Sequence, residues 1–244
     1  MGNDSPIRAF VAGATGYTGR EVARLLGEQN IETYMHVRPD SSQLERWKGY
    51  AEEAGVHLDT TPWRAQAFDE RFKELQPTHV FGLLGTTKAR AKRVGRLGGD
   101  ASLNTYETVD YGLTMELLSA GQKMSSQPRF VYLSSAGSGP KAKGDYLKVR
   151  HRIEEALRES YDNFVSIRPS FITGEGRDDA RPMERVGAGL SDVLLSTIGL
   201  IGAGRLRDRY RSITNTELAR AVIHHGLLGK DSPSIVEGES LHGL

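Results

Sequence analysis

The chain of 244 residues carries 32 Lys and Arg against 31 Asp and Glu, a formal net charge of +1, with 38% apolar and 26% charged residues. That composition can bury a core, excludes disordered, collagen-like and low-complexity classes, and lacks the one-sided field of a general nucleic-acid or membrane binder. No cysteine is present, which excludes disulfides, thiolate metal sites, iron-sulfur clusters and cysteine nucleophiles. Parallel α/β folds reach about 250 residues as one unit, so the expectation is a single domain over 1–244. The longest apolar stretch, Val193 to Ala203, contains Ser196, Thr197 and two glycines and is shorter than the roughly 18 residues a membrane span needs. Residues 1–6 hold no apolar signal core, and a soluble, cytoplasmic protein is the expectation.

In chain order, Ile7 to Ala12 reads as a strand, followed by a glycine turn and a helix with Val22, Leu25 and Leu26 on one face. Ile31 to Val37 is strand-like, Ser42 to Ala54 helical, Val56 to Leu58 a brief strand, and Glu70 to Leu75 helical. His79 to Leu84 makes a fourth strand, and the five Lys and Arg residues within Lys88 to Arg96 read as a solvated loop. A helix runs from Leu113 to about Ala120, Phe130 to Leu133 is a fifth strand, and Tyr146, Val149, Ile153 and Leu157 share one helix face. Phe164 to Ile167 is a sixth strand, stopped by Pro169. Beyond it the spacing predicts a mixed helix near Leu190 to Ile198 and a helix opened by a Thr214-x-x-Glu217 capping box. Strands alternating with helices predict a parallel α/β sheet, with residues 170–244 folding over its ligand crevice.

The strongest local signal is Gly13-Ala14-Thr15-Gly16-Tyr17-Thr18-Gly19, between the first strand and the first helix. A diphosphate needs backbone N–H groups that it can touch without a Cβ in the way, and a helix N-terminus favours its charge. Gly13 suits the tight turn, Gly16 the ligand's approach, and Gly19 close packing of helix on strand. An ordinary βα turn has no need of three glycines at this spacing. No Gly-Lys-Ser/Thr follows, so the loop is not a Walker A.

A dinucleotide site usually places an acid about 20 residues beyond the glycines to hold the ribose diol. Here the second strand ends in Val37-Arg38-Pro39. A guanidinium cannot accept from a diol but matches a 2′-phosphate, so NADP(H) is favoured over NAD(H); the plainer alternative is a solvated loop arginine.

The fifth strand ends in Ser134-Ser135-Ala136-Gly137-Ser138, and the next helix carries Tyr146 with Arg150 one turn on. A phenol beside a fixed cation can serve as general acid or base, and Ser135 could polarise a carbonyl or alcohol. Lys148, two positions from Tyr146, faces another side of the helix. The other reading makes Ser135 a strand-end serine and Tyr146 a core-facing tyrosine.

Together, the glycine run, Leu84-Gly85-Thr86-Thr87, Ser134-Ser135, Tyr146-x-x-x-Arg150 and Arg168-Pro169 resemble an atypical short-chain dehydrogenase/reductase, nearest to the Tat-interacting oxidoreductase-like branch. The similarity covers nearly the whole chain and includes Arg177 and Arg181-Pro182, which resemble that branch's Arg-rich loop. It implies a Rossmann-like doubly wound parallel sheet with a small C-terminal substrate region that binds NADP(H) or NAD(H). It assigns Gly13, Thr15, Gly16, Tyr17, Thr18 and Gly19 to the pyrophosphate turn and Arg38 to the adenosine phosphate. Asp59 would lie beside adenine, Leu84, Gly85 and Thr86 along the nicotinamide side, and Pro169, Ser170, Phe171 and Ile172 near the carboxamide. Ser135 and Tyr146 would be catalytic, with Arg150 standing where the family pattern has lysine.

Arg205, Arg207, Arg209 and Arg211 alternate strictly and would share one face of an extended segment. His224 and His225 lack the i, i+4 spacing of a helical metal pair, so no metal site is expected. Three functions are carried forward. The first is an NADP(H)-dependent oxidoreductase on a small carbonyl or alcohol, monomeric or a small homo-oligomer, with Tyr146 as general acid/base. The second is a redox sensor that binds NADP(H) without turnover and reports to a protein partner, which Arg150 and the alternating arginines favour. The third, a nucleotide-sugar epimerase or dehydratase, ranks last because the chain is short for the usual substrate lobe.

Overall fold

The computed structural model describes residues 6–173, 212–228 and 234–244. Strand β1 (Arg8–Ala12) leads through the glycine turn into α1 (Tyr17–Glu28), followed by β2 (Glu32–His36), α2 (Leu44–Glu53), β3 (His57–Asp59) and α3 (Ala65–Leu75). The second half opens with β4 (His79–Gly82) and α4 (Lys88–Arg96), then a 3₁₀ turn at Ala101–Asn104 and a π-helical stretch at Tyr106–Gly112 that runs into α5 (Leu113–Gln122). It continues through β5 (Arg129–Leu133), α6 (Asp145–Ser160) and β6 (Phe164–Arg168). Further on come β7 (Ile172–Thr173), β8 (Ile213–Thr214), α7 (Asn215–Leu228) and β9 (Ser234–Glu237).

Seven strands form one parallel sheet in the order β3-β2-β1-β4-β5-β6-β9, and β7 pairs with β8 apart from it. The strand order reverses between β1 and β4, so the ligand crevice of such a sheet lies beyond their C-terminal ends. Both faces are covered. On one, Val11, Phe81, Val131 and Val165 meet Val22 and Leu26 of α1 and Leu218 and Val222 of α7. On the other, Phe10, Val80, Phe130 and Phe164 meet Phe68, Phe72, Leu117, Ile153 and Leu157. Neighbouring residues of one strand fall in opposite cores, and this two-sided burial is why the strands read as unbroken apolar runs.

The expected doubly wound parallel fold is present, with three local differences. Residues 88–96, expected as a loop, form a helix none of whose side chains is buried, with the Thr87 hydroxyl accepting from the Arg90 amide at 3.0 Å. Its apolar positions are only alanines and a valine, too weak a stripe to read as periodic. Helix α3 begins at Ala65 because Phe68 and Phe72, one turn apart, both bury. Strand β9 escaped the sequence reading because none of its four residues is buried at the sheet edge beside β6.

The described part of 170–244 completes the scaffold. Helix α7 starts with the expected capping box: the Thr214 amide donates to Glu217 Oε2 at 2.9 Å, and the Glu217 amide to Thr214 Oγ1 at 3.2 Å. It packs on α1, where Asn215 Nδ2 donates to the Tyr17 carbonyl at 2.9 Å and Thr216 Oγ1 to Glu21 at 3.0 Å. The expectations for Arg177, Arg181, Pro182, Leu190 to Ile198 and the alternating arginines lie outside the described residues.

The frame also takes in titratable side chains at its strand ends. Arg168, at the end of β6, makes a two-pronged pair with the buried Glu154 of α6, Nε to Oε1 at 2.8 Å and Nη2 to Oε2 at 2.6 Å. His79, at the start of β4, is pushed down to about 4 by burial and by the neighbouring Arg129 guanidinium. Burial also lowers His36, which sits among Phe10, Trp63 and Phe68. An unfolded histidine takes up its proton near pH 6.5 while the folded His79 stays neutral, so stability is full above that value and falls as the pH drops towards 4. Urea denaturation at pH 7 and pH 4.5 should show a His79-dependent loss of about 2–3 kcal/mol. His79→Gln should lose less over the same interval; an equal loss would remove His79 as the source.

Candidate cofactor and active site

The glycine turn is shaped by what it touches. Gly13 has φ of +81°, and a Cβ there would stand 2.5 Å from the Leu83 carbonyl oxygen and 2.9 Å from the Leu84 amide nitrogen, just past the end of β4. A Cβ on Gly19 would collide with the Gly13 carbonyl, so the first turn of α1 lies against the end of β1 only because both residues are glycine. The Gly16 amide donates to the Gly13 carbonyl at 2.9 Å, closing the turn. Gly16 is also the N-cap of α1, with no side-chain cap and no acidic residue in the first turn. The first amides of a helix have no intrahelical acceptor, so this end offers N–H donors and a positive dipole to an anion. Thr15 and Gly16 form the exposed lip, Tyr17 is half-exposed, and Thr18 and Gly19 are buried. A dinucleotide's diphosphate fits this cradle, where each missing Cβ is room for the ligand or for the turn.

Arg38 lies just beyond β2, exposed, with Nε 3.7 Å from the exposed carboxylate of Asp40. Asp59 ends β3, and its buried carboxylate accepts from Arg71 Nε at 2.6 Å and from the Thr61 amide at 3.0 Å. It is thus engaged in holding the turn and α3. Leu84 and Thr86 are buried past the end of β4, and Gly85 between them is exposed. Pro169 to Ile172 leave β6 alongside the end of β5, the Pro169 carbonyl accepting from the Ala136 amide at 2.9 Å and the Phe171 carbonyl from the Ile213 amide at 2.9 Å.

Ser135 is half-buried just past β5, beside the buried hydroxyls of Ser134 and Ser138, which lie 3.3 Å apart. Tyr146 is half-buried in the first turn of α6, its ring 5.2 Å from that of Tyr106. The Arg150 guanidinium lies 5.0 Å from the centre of the Tyr146 ring, so the expected pair does meet, while Lys148 is exposed. Arg150 itself is buried and heavily engaged. Nη2 donates to Asp110 Oδ1 at 2.7 Å and to the Leu84 carbonyl at 3.1 Å; Nη1 donates to the Tyr132 hydroxyl and to the Leu133 carbonyl, each at 3.0 Å. The other Asp110 oxygen accepts from the Thr86 amide at 2.9 Å. Burial holds the Tyr132 phenol well above its ordinary range, which keeps it neutral. Gly85 makes room for the guanidinium, since a Cβ there would stand 3.0 Å from Arg150 Nη2.

Sequence reasoning missed Asp110 and Tyr132. Asp110 sits 40 positions from Arg150 in the π-helical stretch, whose extra residue per turn no side-chain period announces. Tyr132 reads simply as one more apolar strand residue. Among the described residues no group of acidic and histidine side chains could hold a metal ion, and no helix is long and apolar enough to cross a membrane.

With this geometry in place, a family model described as the NAD-dependent epimerase/dehydratase family matches residues 9–222. A protein of Coccidioides immitis named FMP52, mitochondrial, is 27% identical over 223 residues, covering 89% of this chain and 84% of that protein. Among solved structures, a provisionally assigned epimerase from Burkholderia cenocepacia superposes with a TM-score of 0.67 at 21% identity, covering 95% of this chain and 75% of that one. The Bordetella bronchiseptica enzyme WbmH, solved with NAD+, gives 0.60 at 15% identity with coverages of 95% and 75%. A UDP-N-acetylglucosamine 4-epimerase from Methanobrevibacter ruminantium, solved with UDP-N-acetylmuramic acid, gives 0.61 at 16% identity with coverages of 96% and 77%. At these identities the structural likeness speaks to the fold.

Gly19→Ala should cost about 1–3 kcal/mol of stability through overpacking and weaken both NADPH and NADH at least tenfold in calorimetry. Gly16→Ala, whose Cβ would stand 3.1 Å from the Gly13 carbonyl oxygen at the exposed lip, should change stability less while still impeding the ligand. Unaltered coenzyme binding in both variants would remove the cradle from the site.

Proposed function

Since the chain belongs to the NAD-dependent epimerase/dehydratase family, we propose that it is a nicotinamide-dinucleotide oxidoreductase acting on a small carbonyl or alcohol, with NADP(H) preferred. The observation that carries this reading is that the open first turn of α1 and the Tyr146-bearing turn of α6 follow the C-terminal ends of β1 and β5 in one parallel sheet. Both therefore stand at the edge where a ligand crosses the switch point.

Gly13, Thr15, Gly16, Tyr17, Thr18 and Gly19 would hold the diphosphate. Leu84, Gly85 and Thr86 would line the nicotinamide side across from Pro169, Ser170, Phe171 and Ile172. The bound coenzyme supplies the hydride donor or acceptor. The Tyr146 hydroxyl gives or takes the proton at the substrate oxygen, and the Ser135 hydroxyl donates a hydrogen bond that fixes that oxygen. Arg150 packs on the Tyr146 ring and limits its freedom. Asp59, its carboxylate occupied, contributes by shaping the adenine side of the crevice.

The NADP(H) preference rests on Arg38. Two residues past His36, the end of β2, the side chain is Arg38 in place of an acid that could accept from a ribose diol, and among the described residues the exposed guanidinium makes one loose contact, to Asp40. Calorimetry should give NADPH the higher affinity in the wild type, with Arg38→Ala losing about tenfold for NADPH and little for NADH, as one charge-assisted contact predicts. Equal wild-type affinities would overturn the phosphate role.

A second reading, a nucleotide-sugar epimerase or dehydratase, is favoured by the family match and by relatives of the same fold described as epimerases. A turnover panel separates the two: simple ketones and alcohols with NADPH in one arm, UDP-glucose and UDP-N-acetylglucosamine in the other. In whichever arm turns over, Tyr146→Phe should lower kcat by about a hundredfold or more. Turnover untouched by that substitution would take Tyr146 out of the chemistry. Tight coenzyme binding with no turnover in either arm would favour the sensor reading.

A further inference from the structure

Helix α6 presents a cation to Tyr146, but that cation does not act alone. The guanidinium lies 5.0 Å from the ring centre, and its Nη2 is 2.7 Å from Asp110 Oδ1 in an ion pair whose side chains are 5% and 0% exposed. Two unlike charges this close, out of water, act on a third group as a short dipole, whose field falls away much faster than a lone charge's. Among the described residues, the other Arg150 hydrogen bonds go to uncharged acceptors: the Leu84 and Leu133 carbonyls and the Tyr132 hydroxyl. Asp110 is held in turn by the Thr86 amide on Oδ2, and its own carbonyl accepts from Thr114 Oγ1 at 2.6 Å. The pair is therefore locked by the segment after β4, by β5, by α6 and by the π-helical stretch at once.

We infer that Asp110 is a positioning residue that sets the acidity of Tyr146 by neutralising Arg150, so that the phenol meets a closed ion pair instead of a free cation. This rests on the Tyr146 role proposed above but is tested without it. Other titratable groups also stand near Tyr146 among the described residues. From the π-helical stretch comes the Tyr106 ring, and from β5 the Tyr132 phenol, which is buried and stays protonated. At the start of α6 the exposed Asp145 lies 3.4 Å from Lys88 of α4, a solvent-screened pair that changes little of the local field. Among the described residues, Asp110 is the buried carboxylate paired with Arg150. Removing its charge while keeping the side chain's size, and one of its two acceptor oxygens, would expose Tyr146 to an unbalanced guanidinium and favour the phenolate.

The test is the titration of Tyr146 itself, followed by carbon NMR on protein labelled at tyrosine Cζ, the resonance being identified by its loss in Tyr146→Phe. Asp110→Asn should lower the Tyr146 midpoint by about one pH unit, the size expected for one uncompensated charge at partly buried range. Arg150→Gln, which leaves the carboxylate, should raise it. The double variant Asp110→Asn with Arg150→Gln replaces a neutral pair by a neutral pair and should return the midpoint to within about 0.3 units of wild type. A midpoint unmoved by Asp110→Asn overturns the inference. Should that single variant fail to fold, the double variant still decides: a rise of about one unit, as from loss of a lone cation, would show that Asp110 neutralises nothing. If the midpoints shift as expected while no substrate turns over, the electrostatic inference stands and the catalytic reading falls. Where turnover is found, the alkaline limb of kcat should move with the NMR midpoint, a shift that a merely structural Asp110 would not produce.

Discussion

The close approach of α1 to the end of β1 governs the rest of the molecule. Gly13 and Gly19 meet where any Cβ would collide with backbone, so the helix begins nearly on top of the strand. That apposition fixes the position of the first-turn amides, and it brings α1 near enough for α7 to pack across it, Asn215 reaching the Tyr17 carbonyl. The same contact closes one core and forms one wall of the crevice. Stability and ligand geometry therefore share a single constraint, and a substitution there cannot alter one alone.

The opposite wall is built on a different principle. At the ends of β4 and β5 the backbone carbonyls of Leu84 and Leu133 would be buried without strand partners, and the Arg150 guanidinium supplies both with donors. Burying an unpaired carbonyl costs about 1–3 kcal/mol. Burying a guanidinium without an anion costs several times more. Asp110 meets the second cost, and its other oxygen takes the Thr86 amide, so the loop that would line the nicotinamide is tied to the same pair. Arg168 and Glu154 repeat the device one strand further out, joining α6 to β6, with Glu237 of β9 at 3.5 Å. Geometry enforced by backbone sterics on one side thus faces geometry enforced by paired charge on the other.

Much of this was legible in the amino-acid sequence, for reasons that differ by element. Strands buried on both faces read as apolar runs, and the three glycines announce a turn because only glycine tolerates the φ of Gly13 and the approach at Gly19. Tyr146 and Arg150 lie one helical turn apart, and the helix brings them together. The short edge strand β9 and the solvent-covered α4 carry almost no burial signal, so periodicity could not find them. Asp110 was hidden for a deeper reason: its partner is 40 residues away, and a π-helical turn offsets it from any regular spacing. Likewise Asp59 sits where expected, but its commitment to Arg71 follows from the start of α3, which the spacing placed too late.

Arginine at position 150 changes what the helix can offer. A lysine ammonium carries three donors on a flexible stem and can leave one for a ligand, whereas the planar guanidinium presents its donors in a rigid fork. Here the two Nη atoms meet four acceptors, and Gly85 is the residue whose missing Cβ lets the fork in. With both Nη atoms engaged in this way and Nε buried, the arginine is a wall of the site and no longer a hand extended into it. At the adjoining strand end the amides of Ser134, Ala136 and Ser138 already donate to the Ile167, Pro169 and Ser135 carbonyls, so the turn after β5 is held by its own backbone. The fold is kept, while the charge beside Tyr146 passes from one residue to a pair.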